Sequence, residues 1–464
     1  MENEERQILV LGAGIGGLSA AFELLKAGKK VTLIEKDSVA GGLAKGLKFG
    51  AYHVDLGYKQ FYNRIPQVNS FFDEVLENGI VPYNYRIGIY YNNRIFEREK
   101  RFKGILRGMQ ISDLLDGAMS LIFQKLRYWF REKKTIEDVS WSGKGEFFSI
   151  LFSQGFDEKL KGRPWSSVPK DQDSSDIFTW EKHLPFNKLL KEIQKGESKQ
   201  KEWFHPLKGS GGLMETLQKK IIEMGGEIIF NTKIFSVQRN QNQIQSIEIE
   251  SKGELKSIQT SHLISSIRLE VLASFLGIEQ DLVATDLSFF RAVIIIYLFF
   301  DGPSKFPHTC LQVSDPKLKI GRVTNYEAFN CGMVPPGKSC LAFEIFCKNG
   351  ESILDCSDLQ LLAIVKDEFR NSSLIDWTML ENTEVVKLPL GDAANASEDY
   401  RQGARKKMYD DLCTLENLYN VNRNGIDKTI YTSIRAAESI LKNDRIHFLK
   451  STSPAEDEPW KIPV

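Results

Sequence analysis

The chain has 464 residues, room for two or three domains with sizeable cores, so function does not rest on a small stapled scaffold. Its 61 Lys and Arg balance 61 Asp and Glu, and a net charge of zero argues against a nucleic-acid protein held by a global basic field. With 42% hydrophobic and 26% charged residues it also lies outside the ranges of disordered chains, collagens and coiled-coil rods.

The chain starts Met-Glu-Asn-Glu-Glu-Arg and enters Ile8-Leu9-Val10-Leu11 directly, without the basic start or cleavage pattern of a secretory signal. Its longest apolar run, Ala292 to Phe300, is about half of what a membrane-spanning helix needs. The expected location is the cytoplasm, with peripheral contact to the inner face of a membrane left open by residues 94–134. Six cysteines lack a Cys-x-x-Cys pair and read as buried, reduced thiols.

Residues 7–11 form a short apolar run that ends at Gly12-Ala13-Gly14-Ile15-Gly16-Gly17, a G-x-G-x-x-G turn after a strand. Leu18, Ala21, Phe22 and Leu25 then keep helical spacing until Lys26-Ala27-Gly28, and Val31-Thr32-Leu33-Ile34 reads as a second strand ending at Glu35. These parts predict a β-α-β dinucleotide unit. Gly12 permits the tight turn, Gly14 lets the backbone approach a pyrophosphate, and Gly17 lets the helix pack on the strand. The helix N-terminus favours the phosphate charge, and Glu35 can accept hydrogen bonds from the ribose hydroxyls. Gly41-Gly42-Leu43 and Asp55-Leu56-Gly57 follow, an extension that simple NAD-binding domains do not need.

The run from Val10 to Asp37, with the Gly41-Gly42-Leu43 and Asp55-Leu56-Gly57 segments, resembles the FAD-binding amino terminus of the flavin amine oxidase superfamily, which includes protoporphyrinogen oxidase, phytoene desaturase-like enzymes and UDP-galactopyranose mutase. The resemblance implies FAD as cofactor, bound by Gly12, Gly14, Ile15, Gly16, Gly17, Glu35, Lys36, Gly41, Gly42 and Leu43, with the flavin ring running toward Asp55–Gly57. It further implies an α/β fold: a discontinuous Rossmann-like FAD-binding domain (1–75, 205–290, 381–464) with an inserted α+β substrate or cap domain (76–204, 291–380).

Residues 205–212 form a glycine-rich turn before a helix carrying Leu213, Leu217 and Ile221. Strands are expected at 227–230, 233–237 and 243–249, with a hairpin turn at Arg239–Asn242 and a return strand at Leu263-Ile264. This order looks like the superfamily's second FAD-domain segment, in which the backbone at Val237 would meet the adenine. Leu418–Gly425 is similar to the family's apolar strand followed by Gly-Arg, which places Arg423 near the cofactor, and Thr432–Ile440 resembles its final helix. Asn422 departs from the usual glycine, and the segment after Gly425 is short.

Between these blocks, residues 94–134 hold eleven basic and five acidic side chains, with aromatics interleaved around Phe123–Arg131. Three readings stay open there: a surface helix with one buried face, an interfacial helix at anionic lipid, or a pocket for an anionic small-molecule substrate. Gly162–Pro169 reads as a loop, and residues 292–300 and 340–347 as buried strands. Arg322, Asn325, Tyr326 and Glu344 are polar groups beside them that could face a flavin, although structural roles weigh more for each. Dispersed histidines and the lack of G-x-S-x-G point away from a metal site or an acyl-transfer triad. No catalytic residue is named, and oligomeric state is not legible. The expected activity is hydride transfer from an organic substrate to flavin N5. A non-redox flavin-dependent nucleotide-sugar mutase is the second reading, and a flavin-free binding or scaffold relative the third.

Overall fold

A computed structural model describes residues 7–62, 65–83, 86–97, 109–170, 203–251, 253–278, 291–392, 406–421 and 425–452. The first run is a β-α-β unit: strand β1 (Gln7–Leu11), helix α1 (Ile15–Lys26) and strand β2 (Val31–Ile34). Strand β3 (Gly46–Phe49), β4 (Tyr52–Asp55) and β5 (Phe61–Tyr62) follow, then helix α2 (Pro66–Leu76) and strands β6 (Ile80–Pro82), β7 (Ile87–Tyr91) and β8 (Arg94–Glu97). Helices α3 (Ile111–Arg127), α4 (Ile136–Lys144), α5 (Glu146–Ser149) and α6 (Gly155–Lys161) come next, the last two joined by a π-helical turn.

Strand β9 (Trp203–Pro206) leads into helix α7 (Gly209–Glu223), which starts inside the stretch read from sequence as a turn. Strands β10 (Glu227–Ile229), β11 (Thr232–Asn240), β12 (Gln243–Ser251) and β13 (Glu254–Ser265) then precede helix α8 (Leu269–Phe275). The hairpin turns at Gln241-Asn242 as expected, with Gln241 at φ +52°.

The first sheet runs β10-β2-β1-β13 with all neighbours parallel, and β19 (Leu418–Asn420) adds to the far side of β13, also parallel. β13 serves two sheets at once: Thr260–Ser265 pairs with β1, while Glu254–Gln259 pairs antiparallel with β12, which in turn pairs with β11. Side chains of β1 alternate between two cores, as a strand buried on both faces requires. Ile8 and Val10 join α1, α7 and helix α11 (Ile426–Lys442), whereas Leu9 and Leu11 join Val237, Ile247, α8 and helix α10 (Lys406–Cys413). Helix α11 begins at Ile426, so the short segment after Gly425 is its first turn. Helix α12 (Arg445–Thr452) follows it.

The second sheet has the order β18-β14-β17-β16-β15-β7-β8, antiparallel except for β15 with β7. Its strands are β14 (Arg291–Phe300), β15 (Cys310–Val313), β16 (Ile320–Asn325), β17 (Ser339–Lys348) and β18 (Leu380–Asp392). One face packs on helix α9 (Asp358–Glu368) and Phe369. The other face, with Ile295, Tyr297 and Phe299, packs on Val54 of β4. β18 corrects the boundary drawn at 381: it pairs along β14, with Val385 facing one core and Val386 the other, so residues 381–392 belong to the second sheet.

Candidate functional site

The glycine turn assigns a different job to each glycine. Gly12 has φ +89°, the left-handed region that favours glycine, and its N–H donates to Ile34 O at 2.8 Å, tying β1 to the end of β2. A methyl group on Gly17 would overlap the Gly12 carbonyl oxygen, so helix α1 can sit this close to the turn only with glycine there. Gly16 is covered by α11: a methyl group would stand 2.9 Å from Thr429 Cγ2, and the Ser433 hydroxyl donates to Gly16 O at 2.9 Å. Gly14 has neither reason. Its φ of −76° and ψ of −179° suit any residue, and nothing lies within 4 Å of where a methyl group would stand. The open face beside Gly14 adjoins Ile15 at the amino terminus of α1, whose first N–H groups have no side-chain cap.

A second loop clasps the first. Gly41, at φ +117°, donates its N–H to Ala13 O at 2.7 Å, and Gly42, at φ +55°, approaches so closely that a methyl group would stand 3.4 Å from Gly14 Cα. Beside it Leu43 is 56% exposed, an apolar side chain left uncovered at the rim of the open face. Glu35 is buried at the end of β2. Its Oε2 accepts the Ala13 N–H at 2.7 Å and its Oε1 the Asp37 N–H at 2.9 Å, so the carboxylate organises the loop and each oxygen keeps a further lone pair. Lys36 stands exposed beside it.

Val237 lies on β11, its side chain buried with Leu9, Leu11 and Ile34. β11 is the edge strand and pairs only with β12 there, while its first residue, Thr232, donates its N–H to Glu35 O at 3.0 Å. The far end of β11 is thereby linked to the end of β2. Arg423 and Asn422 lie outside the described residues.

Where the two sheets meet, the chain at Asp55–Lys59 is held from all sides by groups far apart in sequence. Asp55 Oδ1 accepts both the N–H (2.8 Å) and the hydroxyl (2.7 Å) of Ser210, a carboxylate at the amino terminus of α7. Asp55 O accepts the hydroxyls of Tyr297 (2.7 Å) and Tyr326 (2.8 Å), and burial holds both phenols well above their usual pKa, so they remain donors. His205 Nε2 stands 3.5 Å from Asp55 Oδ2 inside a shell of Phe61, Tyr83 and Phe329. Burial lowers the His205 pKa despite Asp55, so the imidazole stays neutral. The neighbouring Cys331 Sγ, 3.6 Å from His205 Nδ1, is pushed up to about 12 by burial, which makes it a packed thiol rather than a nucleophile.

Glu344 sits under Gly57 and accepts the Tyr58 N–H at 3.2 Å, the Thr324 hydroxyl at 3.3 Å and the Arg322 guanidinium at 3.1 Å. Lys59 Nζ donates to Leu56 O at 2.7 Å, and burial lowers its pKa against the pull of Asp55 and Glu344. Of the four polar residues marked in the sequence, the structure brings Arg322, Tyr326 and Glu344 together around Asp55–Tyr58. Asn325 is not among them: its amide donates to Ser304 Oγ and Phe306 O and holds the neighbouring loop. Sequence reasoning missed Asp55 as an anchor, His205 and Ser210. The Asp-Leu-Gly segment and the glycine-rich turn were both visible, but not their contact across 155 positions. Glycines of that second turn serve packing: a methyl group on Gly211 would stand 2.6 Å from Gly46 Cα.

Residues 10–75 match the family of NAD(P)-binding Rossmann-like domains. The chain is 54% identical over 55 residues to the all-trans-zeta-carotene desaturase of Myxococcus xanthus, covering 11% of this chain and 10% of that protein. It is 23% identical over 288 residues to the lycopene-forming phytoene desaturase of Pantoea ananas, 52% of each. The chain therefore aligns with about a tenth of the first relative's length and about half of the second's. Among solved structures, reduced UDP-galactopyranose mutase superposes with a TM-score of 0.74 at 14% identity, covering 94% of each chain. A protein from Exiguobacterium sp. 255-15 assigned as a protoporphyrinogen oxidase superposes with 0.70 at 13% identity, covering 95% and 99%. The fold of these two structures is thus shared over nearly the whole chain.

Proposed function

We propose that this protein is an FAD-dependent oxidoreductase of the amine oxidase and protoporphyrinogen oxidase-like type, acting on a small organic substrate. The observation that carries the reading is Gly14: neither backbone conformation nor packing asks for glycine there, which leaves close approach of a ligand as its reason. When bound, FAD supplies the chemistry, accepting hydride from a C–H or C–N centre at its N5. The residues of this chain bind and orient. N–H groups at the start of α1 meet the pyrophosphate, the Glu35 carboxylate has lone pairs for ribose hydroxyls, and Leu43 covers the rim. The desaturase relative matched over 55 residues and the clasp of Gly41–Leu43 over Gly14 support FAD as the dinucleotide. Tyr297, Tyr326 and Glu344 hold the Asp55–Tyr58 backbone and Ser210 the Asp55 carboxylate, which supports the junction of the two sheets as a rigid wall for a substrate site.

A nucleotide-sugar mutase would present unpaired arginines to a diphosphate. Arg322, at this junction, is engaged by Glu344, so the redox reading stands first. The flavin-free reading rests on Asn422, which lies outside the described residues, and on the short segment after Gly425, which is the first turn of α11.

The visible absorption spectrum of the purified protein, taken before and after denaturation with the released cofactor identified by mass, tests the proposal. Near-stoichiometric FAD is expected, followed by substrate-dependent bleaching without oxygen and peroxide release with it. Colourless protein that also fails to take up added FAD overturns the proposal.

A further inference from the structure

Helix α3 faces the wrong way for a helix stabilised by an apolar core. The stripe it turns toward the protein is polar or small: Asp113, Gly117, Ser120, Gln124 and, just past its end, Tyr128, at helical spacing. Arg94 grips the Asp113 carboxylate with two nitrogens at 2.6 and 2.8 Å. Gly117 lies flush under the Phe148 ring, and Ser120 Oγ accepts the Phe147 N–H at 3.2 Å. Gln124 donates to Glu146 at 3.1 Å, and Tyr128 to Asp138 at 2.7 Å. The helix is therefore fastened by hydrogen bonds and one ion pair.

Its apolar stripe points outward. Ile111, Leu115, Met119, Ile122, Phe123 and Leu126 are 55–78% exposed, and Trp129 and Phe130 beyond its end are 72% and 96% exposed. With Leu114, this one segment carries nine of the nineteen large apolar side chains that stand exposed among the described residues. A patch of this kind marks an interaction surface. Its chemistry names the partner. Lys125, Arg127, Arg131, Lys133 and Lys134 are exposed around the aromatic end, against Glu132 alone, and Asp116 is the one exposed acid on α3 itself. Apolar and aromatic side chains flanked by snorkelling cations match the boundary of an anionic bilayer, where such a helix lies in the plane. Among the described residues no helix is long and apolar enough to cross a membrane, so contact is with one leaflet.

We propose that α3 and the turn at Trp129-Phe130 dock this protein on an anionic lipid surface, with the helix lying flat and its Ile111–Leu126 stripe sunk into the acyl boundary. The inference is independent of the flavin reading, because nothing in it requires a bound cofactor.

Co-sedimentation of the full chain with phosphatidylcholine vesicles, with and without phosphatidylglycerol, tests it. Strong binding is expected only with the anionic lipid, and it should fall steeply with added salt. Trp129→Ser with Phe130→Ser replaces largely exposed side chains, and an unchanged urea midpoint shows that the double variant folds. It should bind about 100-fold more weakly. Lys125→Glu, Lys133→Glu and Lys134→Glu together should lose at least as much, at roughly fivefold per basic side chain. No binding to either vesicle, or variants that bind like the parent, overturns the proposal. So does a dimer in light scattering that the Trp129/Phe130 variant abolishes while vesicles are ignored, since the face would then belong to a second copy.

Discussion

Replacing Gly14 by valine and Gly17 by alanine separates ligand approach from packing within four residues of one turn. At Gly17 the added carbon overlaps the Gly12 carbonyl oxygen and stands 3.1 Å from the Gly12 carbonyl carbon and from Val10 Cγ1; Val10 is buried in β1, and the Gly12 N–H is tied to Ile34 O. The overlapped atom is backbone and the Val10 methyl sits on a short, buried side chain, so relief requires moving α1 off the sheet, against the cover that α11 gives Gly16. Overpacking of this kind costs about 1–3 kcal/mol, and a backbone obstacle puts Gly17→Ala near the upper end. With about 3 kcal/mol lost and a urea slope of about 1–3 kcal/mol/M, the unfolding midpoint should drop by about 1 M or more. At Gly14 nothing lies within 4 Å of the first added carbon and the extended backbone there suits valine, so the unfolding free energy should stay within about 0.5 kcal/mol of the parent. Its branched side chain instead fills the face where the pyrophosphate would sit, and FAD affinity should fall by about 100-fold or more, roughly 2.7 kcal/mol. Urea titrations of flavin-free protein, paired with FAD titration by fluorescence quenching, read both. A Gly14→Val protein that keeps parental FAD affinity would refute the assignment of that face, and a parental midpoint for Gly17→Ala would refute the packing.

Glu35→Ala leaves the buried Ala13 N–H without an acceptor, so the flavin-free protein should lose about 1–3 kcal/mol in urea and also bind FAD more weakly; parental stability would show that the loop holds its shape without the carboxylate. Glu344→Ala strands the mostly buried Arg322 charge and should cost about 3 kcal/mol, whereas a neutral result would mean the guanidinium finds water or another acceptor. Asp138 provides a pH test. Burial pulls its pKa up, but hydrogen bonds from the Lys134 N–H, the Tyr128 hydroxyl and Thr135 outweigh it and hold the carboxyl at about 2, below the usual 3.8. Its folded pKa is depressed, so its stabilisation is complete above about pH 4 and is lost as pH falls through 2. Asp138→Asn should therefore flatten the acid limb of the stability curve between those values, and an unchanged limb would remove Asp138 from it.

The dinucleotide unit was legible because its logic is largely local: strand, turn, helix and second strand lie within thirty residues, and Gly12 and Gly17 act within the unit, although the cover of Gly16 by α11 comes from far along the chain. Contacts between distant segments were not. Asp55 finds Ser210, Tyr297 and Tyr326 only once both sheets exist, so the anchoring of the junction had no sequence signature. β13 was read as two residues because its first half, Glu254–Gln259, lies in the meander with largely exposed polar side chains and lacks the apolar run of its second half. For α3 the composition left three readings open, and only Arg94, Glu146 and Asp138 show that the polar face is the bound one.

The double pairing of β13 also sets an order of events during synthesis. β1 and its turn are made long before the segments that complete them: Gln7 pairs with Thr260, 253 positions later, and the Ser433 that caps Gly16 O comes 417 positions after it. At roughly 5–20 residues per second, β1 waits about 13–50 s for its neighbour, and the turn about 20–85 s for its cover. Throughout that interval one edge of a buried apolar strand has no partner, while the second sheet is still being made. A chaperone that shields β1 in this window would raise the yield of folded protein without touching its final stability.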